Sequence, residues 1–248
     1  MISVCIATYN GADVILTQIK SILPQLQDTD ELIVSDDGST DGTVELVKGL
    51  NDKRISLLKG PAKGNPIPNF EFALSMAKGD YIFLSDQDDC WMEGKVEASV
   101  NALRQGYELV VTDCLVTDKN LKVFSDSFFA LNKTRENKYY NLFLKNGYLG
   151  GCMAFTRRLR DASLPFPKHI PMHDIWIGNV AGFYFNVLFI HKPYSYFRRT
   201  GNNVSTTAAK SKNNLFKKLL FRLRKSYYLL RINRHVRQVV QQSQHDNK

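Results

Sequence analysis

The chain lacks any run of the roughly 20 apolar residues that a membrane-spanning helix needs. The nearest, Ile175 to His191, carries no charge but is interrupted by Gly178, Asn179, Gly182 and Asn186. Its four cysteines, Cys5, Cys90, Cys114 and Cys152, lie far apart with no C-x-x-C or Cys/His ligand spacing. That pattern argues against zinc and disulfides and for buried, reduced thiols. Internal repeats and low-complexity segments are also missing, and no domain linker occurs before about Gly201. The opening MISVCIATYN has neither a basic leader nor a cleavage site, so no secretory signal and a cytosolic location are expected. What is present suits a soluble globular chain of 248 residues: 44% hydrophobic, 11% aromatic and 23% charged. Such a composition excludes wholesale disorder, collagen-like sequence and a polytopic membrane protein.

Charge is distributed unevenly. Eleven Lys/Arg and one acid, Asp246, fall between Lys210 and Lys248, a net of +10, whereas residues 1–209 hold 22 bases and 23 acids, a net of −1. Nucleic-acid enzymes more often spread basic residues around a cleft, so no nucleic-acid partner is expected. A basic tail on a near-neutral body points to an anionic surface, with membrane lipid first.

The first 110 residues alternate apolar runs with helical patterns. Strands are expected at Ile2–Ala7, Glu31–Ser35, Ile55–Leu58 and Tyr81–Leu84. Between them the pattern predicts a helix from about Asp13 to Leu23, one capped by Asp41, and one from Asn69 to Ala77. Strands spaced in this way make βαβ units and a mostly parallel sheet flanked by helices. Ligands bind at the carboxyl ends of the strands in such sheets. Three polar clusters stand there: Thr8-Tyr9-Asn10, Asp36-Asp37-Gly38 and Asp86-Gln87-Asp88-Asp89. Further on, Leu109–Thr112, Met153–Phe155, Val187–Ile190 and Tyr194–Phe197 read as short strands, with a helix near Asp174 to Ala181. After Asn213 the chain turns helical and basic. Phe216, Leu219, Leu220, Leu223, Tyr227 and Leu230 form an apolar stripe ringed by Lys217, Lys218, Arg222, Arg224, Lys225 and Arg231.

Each cluster admits a structural and a chemical reading. Three carboxylates within four residues repel one another unless a cation or donors compensate, and a hard divalent cation would do so while clamping a diphosphate. Otherwise the acids are a solvated loop, with Asp89 capping a helix that begins near Glu93. In Asp36-Asp37-Gly38-Ser39-Thr40-Asp41-Gly42, turn chemistry accounts for most residues and leaves one acid able to accept from the N3–H of uracil or thymine. Asp174 suits either a helix-dipole acid or a general base. His173 reads as an orienting or packing residue. Trp91 and Trp176 are expected half-buried, available to stack on a sugar face.

The runs SVCIATYNG, SDDGSTDGT, FLSDQDDCW and MHDIW, in that order over residues 2 to 205, resemble the family 2 glycosyltransferases of the GT-A fold. Within that family they are similar to bacterial enzymes that build O-antigen, capsule and other surface polysaccharide, many of them called rhamnosyltransferases. The resemblance implies a GT-A domain over 1–205, nucleotide-binding to about residue 112 and acceptor-binding from 113, followed by a basic amphipathic helical tail, 206–248. It implies an inverting, metal-dependent transferase using a UDP- or dTDP-sugar on a lipid-diphosphate-linked saccharide. Thr8 and Tyr9 would line the nucleotide pocket, Asp37 would hold the pyrimidine, Asp36 would support its loop, and Asp86 would lie near the ribose and sugar. Asp88 would be the main ligand of Mn²⁺ or Mg²⁺, and Asp174 the general base. Where relatives read Tyr-Arg-x-His-x-x-Asn, this chain has Thr200 at the His position and Arg198 at the Arg. Arg198 and Arg199 would then neutralise the diphosphate directly. Gly150–Met153 would form a close-approach loop, and Lys63-Gly64-Asn65 would reach the nucleotide.

The tail helix either packs on its own domain or lies at an anionic bilayer, which would hold the protein peripherally at the inner face of the membrane. Two rivals are a sugar-1-phosphate nucleotidyltransferase, whose Gly-rich basic loop Thr8-Tyr9-Asn10-Gly11 does not match, and a non-catalytic sugar-nucleotide binding module.

Overall fold

A computed structural model describes residues 1–199 and the helix 215–245, with the side chains of that helix described from 220 to 241. Thr200 therefore lies outside the described residues, as do 201–214. The first half runs β1 (Ile2–Thr8), α1 (Ile15–Ile22), β2 (Glu31–Asp36), α2 (Thr43–Gly49), β3 (Ile55–Lys59), α3 (Pro66–Met76), β4 (Tyr81–Asp86), β5 (Cys90–Trp91) and α4 (Lys95–Arg104). The second half runs β6 (Leu109–Thr117), β7 (Val123–Ser125), α5 (Phe128–Asn132), α6 (Lys138–Phe143), β8 (Met153–Thr156), α7 (Arg157–Ser163), α8 (His173–Tyr184), β9 (Val187–Arg198) and α9 (Leu215–His245). One sheet orders its strands β3-β2-β1-β4-β8-β6-β9-β5, with β7 pairing on β6. It is parallel through β3, β2, β1 and β4, then mixed: β8 is antiparallel to both β4 and β6, while β6 and β9 are parallel.

The central strands are buried on both faces, as parallel strands covered by helices must be. Along β1, Val4 and Ile6 pack with Ile15, Ile19 and Val34 on one side, while Cys5 joins Ile33, Leu74 and Leu84 on the other. This period-2 division explains why the runs read as uninterrupted hydrophobic stretches in sequence. Cys5, Cys114 and Cys152 are buried free thiols and Cys90 is half-buried.

Several elements differ from the sequence expectation for identifiable reasons. Helix α3 starts at Pro66, not after Pro68, with the Asn65 side chain accepting from Ile67 N. Prolines are tolerated in a first turn because their missing N–H groups have no intrahelical partner there. Helix α2 follows Gly42 in the left-handed region; Asp41 instead accepts from Thr43 N and, through its other oxygen, from Ala12 N. Val187–Ile190 and Tyr194–Phe197 are one strand, β9, whose register against β6 shifts around Asp113 and Pro193. Proline cannot donate to a ladder, and it sits where the ladder is broken.

Helix α9 packs against α6, α7 and α8. Leu229 and Val236 are buried, Tyr228 meets the Trp176 ring edge-on, Tyr184 Oη donates to Leu229 O, and Lys225 Nζ donates to Leu142 O. Three residues of the stripe seen in sequence are on the opposite side: Leu223, Tyr227 and Leu230 are 59%, 53% and 77% exposed, while Leu220 is half-buried and the side chains of Phe216 and Leu219 lie outside the described residues. Among its described side chains the helix therefore shows one packed apolar row and one exposed apolar row. Among the described residues no helix is long and apolar enough to cross a membrane.

Candidate active site

The parallel pairing of β1 with its two neighbours brings distant residues together. Thr8 is opposite Asp36 on β2 and Ala7 is opposite Asp86 on β4, so three strand ends finish at one rim. Around that rim lies a cavity of about 560 Å³ lined by Thr8, Tyr9, Asp37, Asp86, Asp88 and Asp174, among others. Asp37 and Asp174, 137 residues apart along the chain, thus share one space.

On the β1 side, Thr8 is buried and Tyr9 is 51% exposed. Gln87, between the acids of the cluster, fastens both: its Oε1 accepts from Thr8 Oγ1 (2.6 Å) and Tyr9 N (2.9 Å), and its Nε2 donates to Tyr9 O (3.2 Å). The β2 turn divides its two acids between tasks. Asp36 faces its own turn, accepting from Gly38 N, Ser39 N and Ser39 Oγ, and does not line the cavity. Asp37 lines it and accepts at 3.1 Å from both Lys63 N and Asn65 N, which draws the Lys63-Gly64-Asn65 loop to the rim.

Asp86, Asp88 and Asp89 form the acidic wall. Burial and the charges of Asp88 and Asp174 push the Asp86 carboxyl up to about 7; burial raises Asp88, against which the Arg198 charge acts. Asp89 is fully enclosed and pushed well above the usual carboxylate range by burial and by Asp86 and Asp88. It accepts from Arg198 N at 3.1 Å, so it anchors the end of β9 and does not cap a helix; α4 begins at Lys95 behind Gly94. Arg198 is buried at the end of β9, next to this wall but not among the cavity-lining residues.

Opposite stands Asp174, in the first turn of α8 and 9% exposed. Its Oδ2 accepts from Gly150 N (3.2 Å) and its Oδ1 from Ile175 N (2.6 Å). Burial raises its carboxyl to about 6 despite these amides. His173 stacks on Phe70 with ring centroids 4.0 Å apart, and burial lowers it to about 3, so it is a neutral packing residue lining the same cavity. Trp91 and Trp176 are both buried at 4% exposure or less, so neither presents a face to a sugar. Trp176 Nε1 donates to Ser163 O.

Among the described residues no three His, Cys, Asp or Glu side chains enclose a cation by themselves. Asp86 and Asp88 offer two hard carboxylates at the cavity wall, the donor set of a Mg²⁺- or Mn²⁺-type site that takes its other ligands from phosphate and water.

The profile of glycosyl transferase family 2 matches residues 3–162, which span β1 to α7 and the whole acidic wall. The chain belongs to that family. Similar proteins include the Escherichia coli UDP-Glc:alpha-D-GlcNAc-diphosphoundecaprenol beta-1,3-glucosyltransferase WfaP, 34% identical over 101 residues, 41% of this chain and 40% of WfaP. WfgD, an E. coli enzyme of the same description, is 29% identical over 181 residues, covering 72% of this chain and 69% of WfgD. Among solved structures, TarS 1–349 of S. aureus in complex with UDP-GlcNAc superposes with a TM-score of 0.64 at 16% identity, over 90% of this chain and 66% of that one. The mannosyltransferase PcManGT from Pyrobaculum calidifontis, in complex with GDP-Man and Mn²⁺, gives 0.59 at 20% identity, over 82% and 58%. The fold is that of the GT-A glycosyltransferases, as the motifs implied. The fastening role of Gln87 and the sealed position of Asp89 are not legible in the sequence; a polar residue next to an apolar strand end is their signal.

Proposed function

We propose that this chain transfers a sugar, of glucose, galactose or rhamnose type, from a UDP- or dTDP-sugar to a lipid-diphosphate-linked saccharide in bacterial surface-polysaccharide synthesis, with inversion. One observation carries the reading: Asp37, Asp88 and Asp174, from two strand-end loops and the first turn of α8, line one cavity at the carboxyl rim of the sheet. In this scheme residues to about 112 hold the nucleotide, 113–205 present the acceptor, and 206–248 attach the enzyme to the bilayer. Tyr9, exposed at the rim, stacks beside the base, and the spare lone pairs of Asp37 accept from its N3–H. Asp36 keeps that turn in shape, Thr8 borders the nucleotide, and Asp86 faces the ribose and sugar. A divalent cation, Mn²⁺ or Mg²⁺, held by Asp88 would offset the charge that collects on the departing diphosphate. Arg198, buried behind the same wall, adds fixed positive charge at that end.

Asp174 acts from the opposite side. As the acceptor hydroxyl oxygen bonds to the anomeric carbon, its proton passes to the Asp174 carboxylate. The bond to the diphosphate oxygen breaks on the far face and its electron pair leaves with the nucleotide. A carboxyl raised to about 6 is ionised at neutral pH yet more basic than an exposed one. The names of WfaP and WfgD, which act on a diphosphoundecaprenol-linked sugar, support the acceptor class.

Such acceptors sit at a bilayer. The outward face of α9 carries Leu223, Tyr227 and Leu230, with Arg224 and Arg231 at its flanks, and fits an anionic headgroup layer at the inner side of the cell membrane. The test of the chemistry is Asp174→Asn, which removes the base and keeps the shape. UDP binding in the presence of Mn²⁺ is expected to persist while transfer falls by about 10²–10⁴-fold. Undiminished transfer would overturn the assignment of Asp174.

A further inference from the structure

Lys95 opens α4, yet its side chain has no exposed surface. A fully buried lysine is rare unless something holds it, because desolvation of an ammonium is costly. Its Nζ donates to Gly151 O at 2.6 Å and lies 4.6 Å from the centroid of the Trp91 ring. Burial lowers its ammonium, and the surrounding Cys152, Asp89, Cys114 and Asp86 act the other way. Lys95 thus sits under the floor of the cavity, behind the acidic wall.

The carbonyl it holds belongs to the turn Gly150–Cys152, which touches both halves of the site. On one side, Gly150 N–H donates to Asp174 Oδ2. On the other, a Cβ added at Gly151 would lie 2.6 Å from Asp89 Oδ2 and 3.2 Å from Asp86 Oδ2, so the bare backbone is pressed against the two acids. The turn therefore spaces the base from the acidic wall. We propose that Lys95 is a positioning residue: by anchoring Gly151 O from beneath, it keeps Gly150 N–H on Asp174 and Gly151 against Asp86 and Asp89. It touches neither donor nor acceptor. Its effect on transfer rests on the reading of Asp174 as base, but its effect on the turn does not.

The first test uses the full chain without substrate. In Lys95→Met, amide exchange at Gly150 is expected to accelerate at least about tenfold, with exchange in β1 and β2 unchanged. The Asp174 carboxyl, followed by ¹³C NMR and assigned with Asp174→Asn, should titrate at higher pH, because it loses an amide that favours its ionised form. Lys95→Arg, which keeps a charged donor, should restore much of both signals. Should Lys95→Met not fold, Gly151→Ala attacks the same turn from the acid side and should move the same two signals. Unchanged exchange at Gly150 and an unchanged Asp174 titration, in whichever of these variants folds, would overturn the proposal.

Transfer is the second readout. Lys95→Met should lower kcat by about 10²-fold, the scale of a small misplacement of a reacting group, with little change in donor KM. If Asp174→Asn keeps full transfer while Lys95→Met shifts the Asp174 titration, the base reading fails and the positioning role stands. If Asp174→Asn abolishes transfer and Lys95→Met leaves kcat intact, it is the positioning role that fails.

Discussion

Gly178→Ala is a small change whose cost can be worked out from the packing. Gly178 and Gly182 lie one turn apart on α8 and form a seat for Tyr148. An added Cβ at Gly178 would fall 2.2 Å from Tyr148 Cγ, 2.3 Å from Cδ2 and 2.7 Å from Cδ1; at Gly182 it would meet Tyr148 Oη at 2.8 Å. Carbon atoms rest at about 3.5–4.0 Å, so the helix and ring would have to separate by roughly 1 Å or more. The ring is 2% exposed and has nowhere to go. Overpacking of this kind costs about 1–3 kcal/mol, set against a gain of about 1 kcal/mol because alanine is the better helix former. Because the clash is with a rigid ring, the upper part of the range applies, and the net loss should be about 2 kcal/mol. For a chain of this size that is a fall in Tm of roughly 4–8 °C. Urea denaturation should show a lower midpoint at an unchanged slope. Since α8 carries Asp174 one turn earlier and Tyr148 leads into the Gly150 turn, kcat should fall as well. Tyr148→Ala combined with Gly178→Ala should cost less than the two single changes added together. A Gly178→Ala protein as stable as the parent would refute the reasoning, for it would mean that the seat is loose and helix propensity decides.

Three further outcomes are expected. The Asp174 carboxyl, raised to about 6, must be ionised to accept a proton, so kcat should be level above that pH and fall about tenfold per pH unit below it; a limb near pH 4 would contradict the burial argument. Tyr9→Ala should weaken UDP binding about tenfold, as loss of one base–aromatic stack does, and calorimetry showing unchanged affinity would remove Tyr9 from the nucleotide pocket. Replacing Leu223, Tyr227 and Leu230 together by Ser should leave Tm nearly unchanged, because all three are exposed, while sedimentation with phosphatidylglycerol vesicles falls; undiminished sedimentation would leave that face without a bilayer role.

The parallel half of the fold was legible because its strands are apolar on both faces and stop at Asp, Gly or Asn. The convergence of Thr8, Asp37 and Asp86 followed from topology alone: parallel strands end on one side. Features set by packing were not legible. β9 read as two strands because Lys192 and Pro193 interrupt the apolar run, and only its partner β6 shows that the chain continues through a shifted register. Asp89 read as a helix cap in a solvated loop, since nothing in a sequence announces that an acid is sealed beneath a strand end, and the inward reach of Lys95 to a carbonyl has no sequence signal at all. The two tryptophans were misjudged for the same reason. In α9 the expected apolar stripe is exposed at Leu223, Tyr227 and Leu230, but Tyr228, Leu229, Ile232 and Val236 form a second apolar row on the far side, and that row docks. The packing reading of the tail holds for that row, and the exposed row is the one proposed to meet a bilayer.

The central claim is that the acids at this rim surround one diphosphate and one cation. Electron paramagnetic resonance of Mn²⁺ titrated into the protein with UDP tests it most directly. The account predicts a single protein-bound Mn²⁺ that shows coupling to the UDP phosphorus nuclei and that disappears in Asp88→Asn. Mn²⁺ held equally well by Asp88→Asn, or a bound Mn²⁺ with no phosphorus coupling, would contradict it.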